Sequence, residues 1–218
     1  MDGIVDFFSK WWPVVASGAG ALALVKFFES KGGVVKVGVV KVAESQWGQT
    51  IKDESPWYGR IDRYIRGEKG LAWPGANISD LGAPEPYDGN FKWCGAFVAW
   101  CWGTAGLSKG IRFKHLASTY RLKKWASQEP DIRVPVDQIR PGDICSIGAP
   151  DQKNYGTHMV LVVGLGDGVI YTIEGNAIGE GPGGDRYEGV VRQVRHILQT
   201  GNSMFVRVAV RPQARHFS

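Results

Sequence analysis

The sequence is poor in cysteine and has no apolar run long enough to span a membrane. Its three cysteines cannot all pair, and their separations of 7 and 44 residues give no disulfide framework, so at least one thiol is free. The uncharged run at residues 11–25 is short, because a spanning helix needs about 20 apolar residues. Disorder and a collagen-like chain are also excluded, since 44% of residues are hydrophobic and the 30 glycines follow no three-residue period.

An excess of positive charge and many tryptophans are the positive features of the composition. The net charge of +5 suits an anionic partner such as nucleic acid, a membrane surface or a cell-wall polymer. Nucleic acid is the weakest of these, because the late arginines belong to no recognisable RNA- or DNA-binding motif, and most are expected to form a solvated face. These are Arg186, Arg192, Arg195, Arg207, Arg211 and Arg215. Nine tryptophans suggest a groove in which flat rings meet a polar ligand.

The chain is expected to have two parts, a hydrophobic segment at residues 1–38 and a domain at residues 39–218. In the first part, residues 11–25 are either a buried or partner-docked segment or a membrane-seeking one. Acidic residues precede this run and no cleavage site follows it, which argues against a secretory signal. Valine-rich composition favours a strand at Val34–Val42, whereas residues 43–47 are more typical of a helix.

Helices are expected early in the domain. The helical spacing of apolar residues predicts one helix at residues 91–105 and another at residues 115–128. In the second helix, the residues expected to face inward are Leu116, Tyr120 and Trp125.

Later in the domain the hydrophobic period changes to two. Residues 67–90, before this change, are rich in Gly, Pro, Asn and Asp and predict a long loop. After residue 130, strands are predicted at residues 143–147, 158–164, 169–174, 189–194 and 204–210. Helices followed by adjacent strands indicate an α+β domain with an antiparallel sheet.

Cys94 is the candidate nucleophile because it stands near the start of a predicted helix. The amides of the first turn and the helix dipole favour a thiolate there, and a low thiol pKa makes a cysteine nucleophilic. A lone cysteine is more often a buried structural residue, so this interpretation depends on a histidine and a third polar group. Cys101, on nearly the same helix face, and Cys145, within a strand, are interpreted as core residues.

His158 is the histidine best placed to act with Cys94. It opens an apolar strand after a Gly-Thr turn, whereas the other three histidines lie in polar or basic surroundings. If that strand pairs with the next one around the turn at residues 166–168, Glu174 returns near His158. Either Glu174 or Asn176 would then receive the imidazole N–H. Taken singly, these two residues are more typical of a solvated strand end and a turn.

Four short stretches together resemble the CHAP amidase/peptidase family, which is close to the NlpC-type cell-wall peptidases. They are WCGAFVAWC from residue 93, RPGDICSI from residue 140, THMVLVV from residue 157 and IEGN from residue 173. The similarity extends over residues 39–211. It predicts a helix at residues 39–42, where the composition had indicated a strand. One departure is Thr157, which stands between Gly156 and His158, where the family usually has glycine directly before its histidine.

The resemblance implies a papain-like fold, with helices packed on an antiparallel sheet and the nucleophile at a helix N-terminus. Cys94 would be the nucleophile and His158 the general base and acid. Glu174 would orient His158, and Asn176 would help to polarise it or hold the site. The implied substrate is bacterial peptidoglycan, in which the family cleaves amide bonds of stem or cross-bridge peptides, or the amide that joins sugar to peptide.

Three aromatic residues, Trp93, Trp57 and Tyr58, are candidates for lining the substrate groove. No cofactor or metal is expected. The cysteines lack the close spacing of zinc ligands, and Asp53-Glu54 does not form an oxygen-rich calcium loop.

Two other functions remain open. An acyltransferase or deacylase on the same scaffold would resolve the acyl-enzyme with an amine or an alcohol. A structural or adaptor component of a phage particle would dock through residues 1–33 to phage structural proteins or to a membrane. The resemblance to phage-borne members and the lack of a clear signal peptide favour an endolysin or virion-associated lysin. Such an enzyme would act on the cell wall from the virion or the infected host cell.

Overall fold

A computed structural model of the chain describes residues 34–49, 92–105, 118–152, 156–180 and 183–212. The chain divides by its internal contacts into two compact units, Met1–Gly38 and Val39–Ser218. Within the described ranges, no helix has the length and apolar character needed to cross a membrane. The uncharged run at residues 11–25 and the loop expected at residues 67–90 lie outside these ranges, so the predictions made for them stay predictions.

The described part contains three α-helices, α1 (Val34–Ser45), α2 (Cys94–Thr104) and α3 (Thr119–Gln128). Helix α1 shows that the strand expected from valine-rich composition is wrong. Val39 and Ala43 lie one helical turn apart and are both fully buried in the core beside α2. Packing of this apolar pair therefore overrides the β-propensity of the valines.

Helix α2 is apolar on all sides, and this explains its central position. Every residue from Cys94 to Gly103 is buried, as expected for a helix without a polar face. The helix begins three residues later than the sequence pattern suggested, since Lys92 and Trp93 precede it in non-helical conformation. Its first residue is therefore Cys94.

Helix α3 buries a different face from the one expected. Tyr120 is 56% exposed, so the prediction that it faces inward is wrong, whereas the prediction for Trp125 is confirmed. The buried stripe has the spacing of one helix face and consists of Thr119, Leu122, Trp125 and Ala126. The side chain of Ser118 caps the helix by accepting a hydrogen bond from the backbone N–H of Arg121 at 3.2 Å.

In the part of the chain that the structure describes, five strands form a sheet that closes into a barrel in the order β1 to β5. They are β1 (Ile144–Gly148), β2 (His158–Gly166), β3 (Val169–Glu180), β4 (Arg186–His196) and β5 (Phe205–Val210). Each overlaps a predicted strand, and the β2–β3 hairpin is confirmed. The sheet is mixed rather than purely antiparallel, because β4 and β5 meet in parallel at one residue pair while the other pairings are antiparallel. The domain is therefore α+β.

Apolar side chains pack on both faces of the sheet. Ile144 and Leu161 point to the cluster that contains the helices, whereas Cys145 and Val160 point to a second cluster with other strand residues. Successive residues of β1 and β2 thus alternate between two cores, as the period of a strand requires. On β2, His158 lies two residues before Val160, so it belongs to the same face of the strand as the second cluster and stands at the end of that face.

A buried ion pair fixes the turn before β1, in the Pro-Gly-Asp stretch. Asp143 is fully buried, and Arg211 donates to its two oxygens from Nε at 2.8 Å and Nη2 at 2.7 Å. The backbone N–H of Arg140 donates to the same carboxylate at 2.7 Å. The motif therefore joins the chain before β1 to the chain after β5, and Arg211 is not part of a solvated face.

Candidate active site

Cys94 is the first residue of α2, and its surroundings follow from how that helix begins. Trp93 occupies the N-cap position and supplies no side-chain hydrogen bond to the first turn. The first N–H groups of a helix have no partner within the helix and lie at the positive end of its dipole. A thiol at this position is accordingly favoured as a thiolate.

The pKa of Cys94 is lowered from its usual value. Burial opposes this shift, but the thiolate interacts with His158 and accepts hydrogen bonds from the backbone N–H groups of Met159 and Gly95, which together outweigh burial. The residue keeps some access to solvent, since Cys94 is 8% exposed. A low pKa and partial access are the properties of a reactive cysteine.

The other two cysteines have the opposite character. Cys101 and Cys145 are fully buried and unpaired, which confirms their prediction as core residues. Burial raises the pKa of both thiols well above the usual value, and the charge of Asp143 raises that of Cys145 further. Cys94 is therefore the only one of the three cysteines that favours the nucleophilic form.

His158 begins β2 and lies between Cys94 and Glu174. Its Nε2 is 3.2 Å from Oε2 of Glu174. The Nε2–H group has no well-aligned hydrogen-bond acceptor among the described residues, so its contact with Glu174 acts mainly as an ion pair. Since Nε2 faces the carboxylate, Nδ1 is the nitrogen left to face the sulfur.

The pKa of His158 is raised to about 10. Burial alone would lower it, but the interactions with Cys94 and Glu174 favour the imidazolium more strongly. The opposite shifts of the two groups describe a thiolate–imidazolium pair near neutral pH. Such a pair provides a nucleophile and an acid for the leaving group at the same time.

The turn before His158 accounts for the unusual Thr157. Gly156 has a φ of +73°, and a Cβ there would collide with the carbonyl of Ile147. The hydroxyl of Thr119 donates to the Gly156 carbonyl at 2.9 Å, and the N–H of Thr157 donates to the Ile147 carbonyl at 2.8 Å. Glycine is thus required at position 156, and a threonine fits between it and His158.

Glu174 is a fully buried carboxylate on β3, and three donated hydrogen bonds hold it. Arg195 donates from Nε to Oε1 at 2.7 Å and from Nη2 to Oε2 at 2.6 Å, and the hydroxyl of Thr172 donates to Oε1 at 2.6 Å. Burial alone would raise the pKa of Glu174, but Arg195 and then His158 lower it to about 2. The carboxylate is therefore charged beside His158.

Arg195 and Thr172 were missed by sequence reasoning, which counted Arg195 only as one of several late arginines, most of them expected on a solvated face. The Arg195 side chain is only 19% exposed. Thr172 could have been found from the sequence, because it lies two residues before Glu174 and strand alternation places both on one face. Arg195 lies on β4, where its Cα is paired with that of Ile170 on β3, and this register is not visible in the sequence.

Gly175 lets β3 pass directly beneath the start of α2. A Cβ at this position would be 2.5 Å from the ring of Trp93 and 2.6 Å from Cβ of Phe97. The next residue, Asn176, has a φ of +58° and lies in the irregular stretch where the pairing with β4 shifts between Glu174 and Ala177. No hydrogen bond joins Asn176 to His158 in the described part of the chain, so its supporting role stays a prediction.

Of the three aromatic residues expected to line the substrate groove, the structure describes only Trp93. Trp93 is 3% exposed and is packed close to Gly175 beneath the site. Its role as a groove wall stays a prediction. Trp57 and Tyr58 lie outside the described residues.

A comparison with protein families finds a match for the part of the chain that carries these residues. The family model of the CHAP domain matches residues 86–176, which include Cys94, His158, Glu174 and Asn176. The match supports a CHAP-type peptidase/amidase domain over these residues and confirms the resemblance seen in the sequence. CHAP domains are typically cysteine amidases or peptidases with a papain-like fold, and the match supports hydrolysis of peptidoglycan in general terms. Comparison with curated proteins and with solved structures gave no match.

Proposed function

We propose that the protein is a cysteine peptidoglycan hydrolase that cleaves an amide bond of the bacterial cell wall through a thioester intermediate. The observation that supports this function best is the position of Cys94 at a helix start, beside His158, which Glu174 holds by its charge. The CHAP match supplies the class of substrate.

In the first half of the reaction, the Cys94 thiolate attacks the carbonyl carbon of the scissile amide. The negative charge that develops on the carbonyl oxygen needs fixed N–H donors, and the uncapped first turn of α2, including the N–H of Cys94, offers them. His158 then gives its proton to the nitrogen of the leaving group. The C–N bond breaks, the amine departs and the acyl group remains on the sulfur as a thioester.

In the second half, water replaces the amine. Neutral His158 takes a proton from the water, whose oxygen attacks the thioester carbonyl. The C–S bond breaks, a carboxylic acid is released, and the thiolate–imidazolium pair is restored. Throughout, Glu174 keeps the imidazole in one orientation and stabilises its charged form.

The function is tested on purified cell walls from bacteria with different cross-bridge peptides. We expect mass spectrometry of the soluble fragments to show a new amine and a new carboxylate at one type of amide bond. Protein alkylated with iodoacetamide serves as the inactive control. Cleavage of glycosidic bonds alone, or equal release by the alkylated protein, would refute the proposal. Transfer of the acyl group to an added amine or alcohol in preference to water would favour an acyltransferase.

The biological setting that we propose is an endolysin or virion-associated lysin that acts from the phage particle or the infected cell. The net charge of +5 suits a wall rich in anionic polymer, and residues 1–33 supply a hydrophobic segment for docking to a membrane or a phage protein.

A variant that lacks residues 1–33 tests this setting. We expect it to cleave soluble wall fragments at the wild-type rate but no longer to sediment with lipid vesicles or phage particles. Unchanged sedimentation would refute the docking role, and a failure to fold would show that the segment is part of the core instead.

A further inference from the structure

We infer that Arg195 is a positioning residue of the active site, whose guanidinium holds Glu174 as a buried carboxylate in the orientation that faces His158. Its importance for catalysis rests on the proposed function. The role itself rests on the contacts between β2, β3 and β4 and on the balance of charge among buried groups.

The contacts leave the carboxylate of Glu174 one orientation. Arg195 reaches both oxygens with two donors, at 2.7 Å and 2.6 Å, and the hydroxyl of Thr172 occupies Oε1 as well. Oε2 is shared between Arg195 and Nε2 of His158, which is 3.2 Å away. A planar guanidinium fixes the plane of a carboxylate that it binds at two points, so rotation of Glu174 would break both hydrogen bonds.

The site is also balanced in charge. Among the described residues, the titratable and charged groups that face Glu174 are Arg195 from β4 and His158 from β2, with Cys94 from α2 behind the imidazole. Two anions thus lie beside two cations, and the net charge of the group is zero. Without Arg195 the same site would carry an uncompensated buried negative charge, which is relieved most easily by protonation of Glu174.

Protonation of Glu174 would also change the protonation of the Cys94 sulfur, through His158. A neutral carboxylic acid no longer stabilises the positive charge of the imidazolium. An imidazole that loses this charge no longer stabilises the Cys94 thiolate. With Arg195 in place the pKa of Glu174 is held at about 2, so this loss occurs only in strong acid. When Arg195 is removed the pKa of Glu174 rises, and the loss of thiolate begins at a higher pH.

The test measures the rate at which iodoacetamide alkylates Cys94 between pH 2 and 9, with the labelled peptide identified by mass spectrometry. Cys101 and Cys145 are fully buried, so labelling of the folded protein reports on Cys94. We expect Arg195→Gln to move the acidic midpoint of the rate profile upward by at least about one pH unit, the effect of a lost opposite charge beside a carboxylate. Arg195→Lys keeps the charge without the two-point contact and should shift the midpoint less.

Arg211→Gln is the matched control. Arg211 and Asp143 form a second ion pair in which the two side chains are 19% and 0% exposed, the same as for Arg195 and Glu174, and Arg211 likewise donates to both oxygens. Both Gln variants lose a buried ion pair, but only Arg195→Gln should move the midpoint. An unmoved midpoint in folded Arg195→Gln, or an equal shift in Arg211→Gln, would overturn the inference. If Arg195→Gln does not fold, Arg195→Met is the second variant without the charge, and an unmoved midpoint in it would overturn the inference as well.

Alkylation needs no cell-wall substrate, which separates this inference from the proposed function. A shifted midpoint in a protein that cleaves no cell wall would refute the hydrolase and leave the role of Arg195 standing. Wall cleavage that depends on Cys94, together with an unmoved midpoint, would support the hydrolase and refute the role of Arg195.

Discussion

Cys94→Ala is expected to lower the rate of cell-wall cleavage by at least about a thousandfold, the scale of loss when a nucleophile of a catalytic triad is removed. Cys94→Ser should be nearly as inactive. Its hydroxyl replaces the sulfur at the same position, but it ionises far less readily than a thiol beside His158. The measurement is the initial rate of soluble fragment release from purified walls at equal concentrations of folded protein.

Cys101→Ala is the matched control for this prediction. Cys101 lies on the same helix two turns later and is fully buried, with no part in the proposed chemistry. Its replacement should leave the cleavage rate within about twofold and lower stability only modestly, as small core truncations do. Wild-type activity in Cys94→Ala, or a comparable loss in Cys101→Ala, would mean that Cys94 is not the nucleophile.

Gly175→Ala is expected to have the largest effect on stability, with a loss of about 1–3 kcal/mol in the free energy of unfolding. The added Cβ would be 2.5 Å from the Trp93 ring and 2.6 Å from Cβ of Phe97. The second atom is attached to the helix backbone, so no side-chain rotation moves it away. Relief therefore requires α2 to shift relative to β3.

The same shift should impair catalysis, because it moves Cys94 relative to His158 and Glu174. We expect the wall-cleavage rate of folded Gly175→Ala to fall by about a hundredfold, the effect of a misplacement near 1 Å. Urea unfolding measures the stability, and cleavage assayed well below the unfolding midpoint measures the catalytic effect.

Gly183→Ala serves as the control for the glycine substitution. Among the described residues, a Cβ at Gly183 meets only an oxygen of Asp185, at 3.9 Å. Its free energy of unfolding should stay within about 0.5 kcal/mol of the wild type. Equal stability of the Gly175 and Gly183 variants would show that the close approach of β3 to α2 is relaxed without cost.

The elements that carry Cys94, His158 and Glu174 were accessible from the sequence because each has a strong local pattern. Helix α2 is one continuous apolar stretch, and β2 and β3 are apolar strands joined by a short glycine-rich turn. Once that hairpin was assumed, the return of Glu174 toward His158 followed from the length of the strands alone.

The features that escaped sequence reasoning depend on contacts between distant residues. Arg195 reaches Glu174 through the pairing of β3 with β4, and charge alone gave it the same appearance as an exposed arginine. Tyr120 and Leu122 offer two competing stripes on α3, and only the packing decides which is buried. Helix α1 forms because Val39 and Ala43 pack in the core when they are one helical turn apart, and this packing outweighs the preference of valine for strands.

The positions of the three cysteines also determine how the protein responds to oxidation. Cys101 follows Cys94 by seven residues of helix, about 10 Å along its axis, which is too far for a disulfide. Cys145 belongs to the core on the other face of the sheet. The folded chain therefore has no resolving thiol within reach of Cys94. A sulfenic acid formed there can be reduced only by a thiol from outside the protein, and otherwise proceeds to irreversible oxidation.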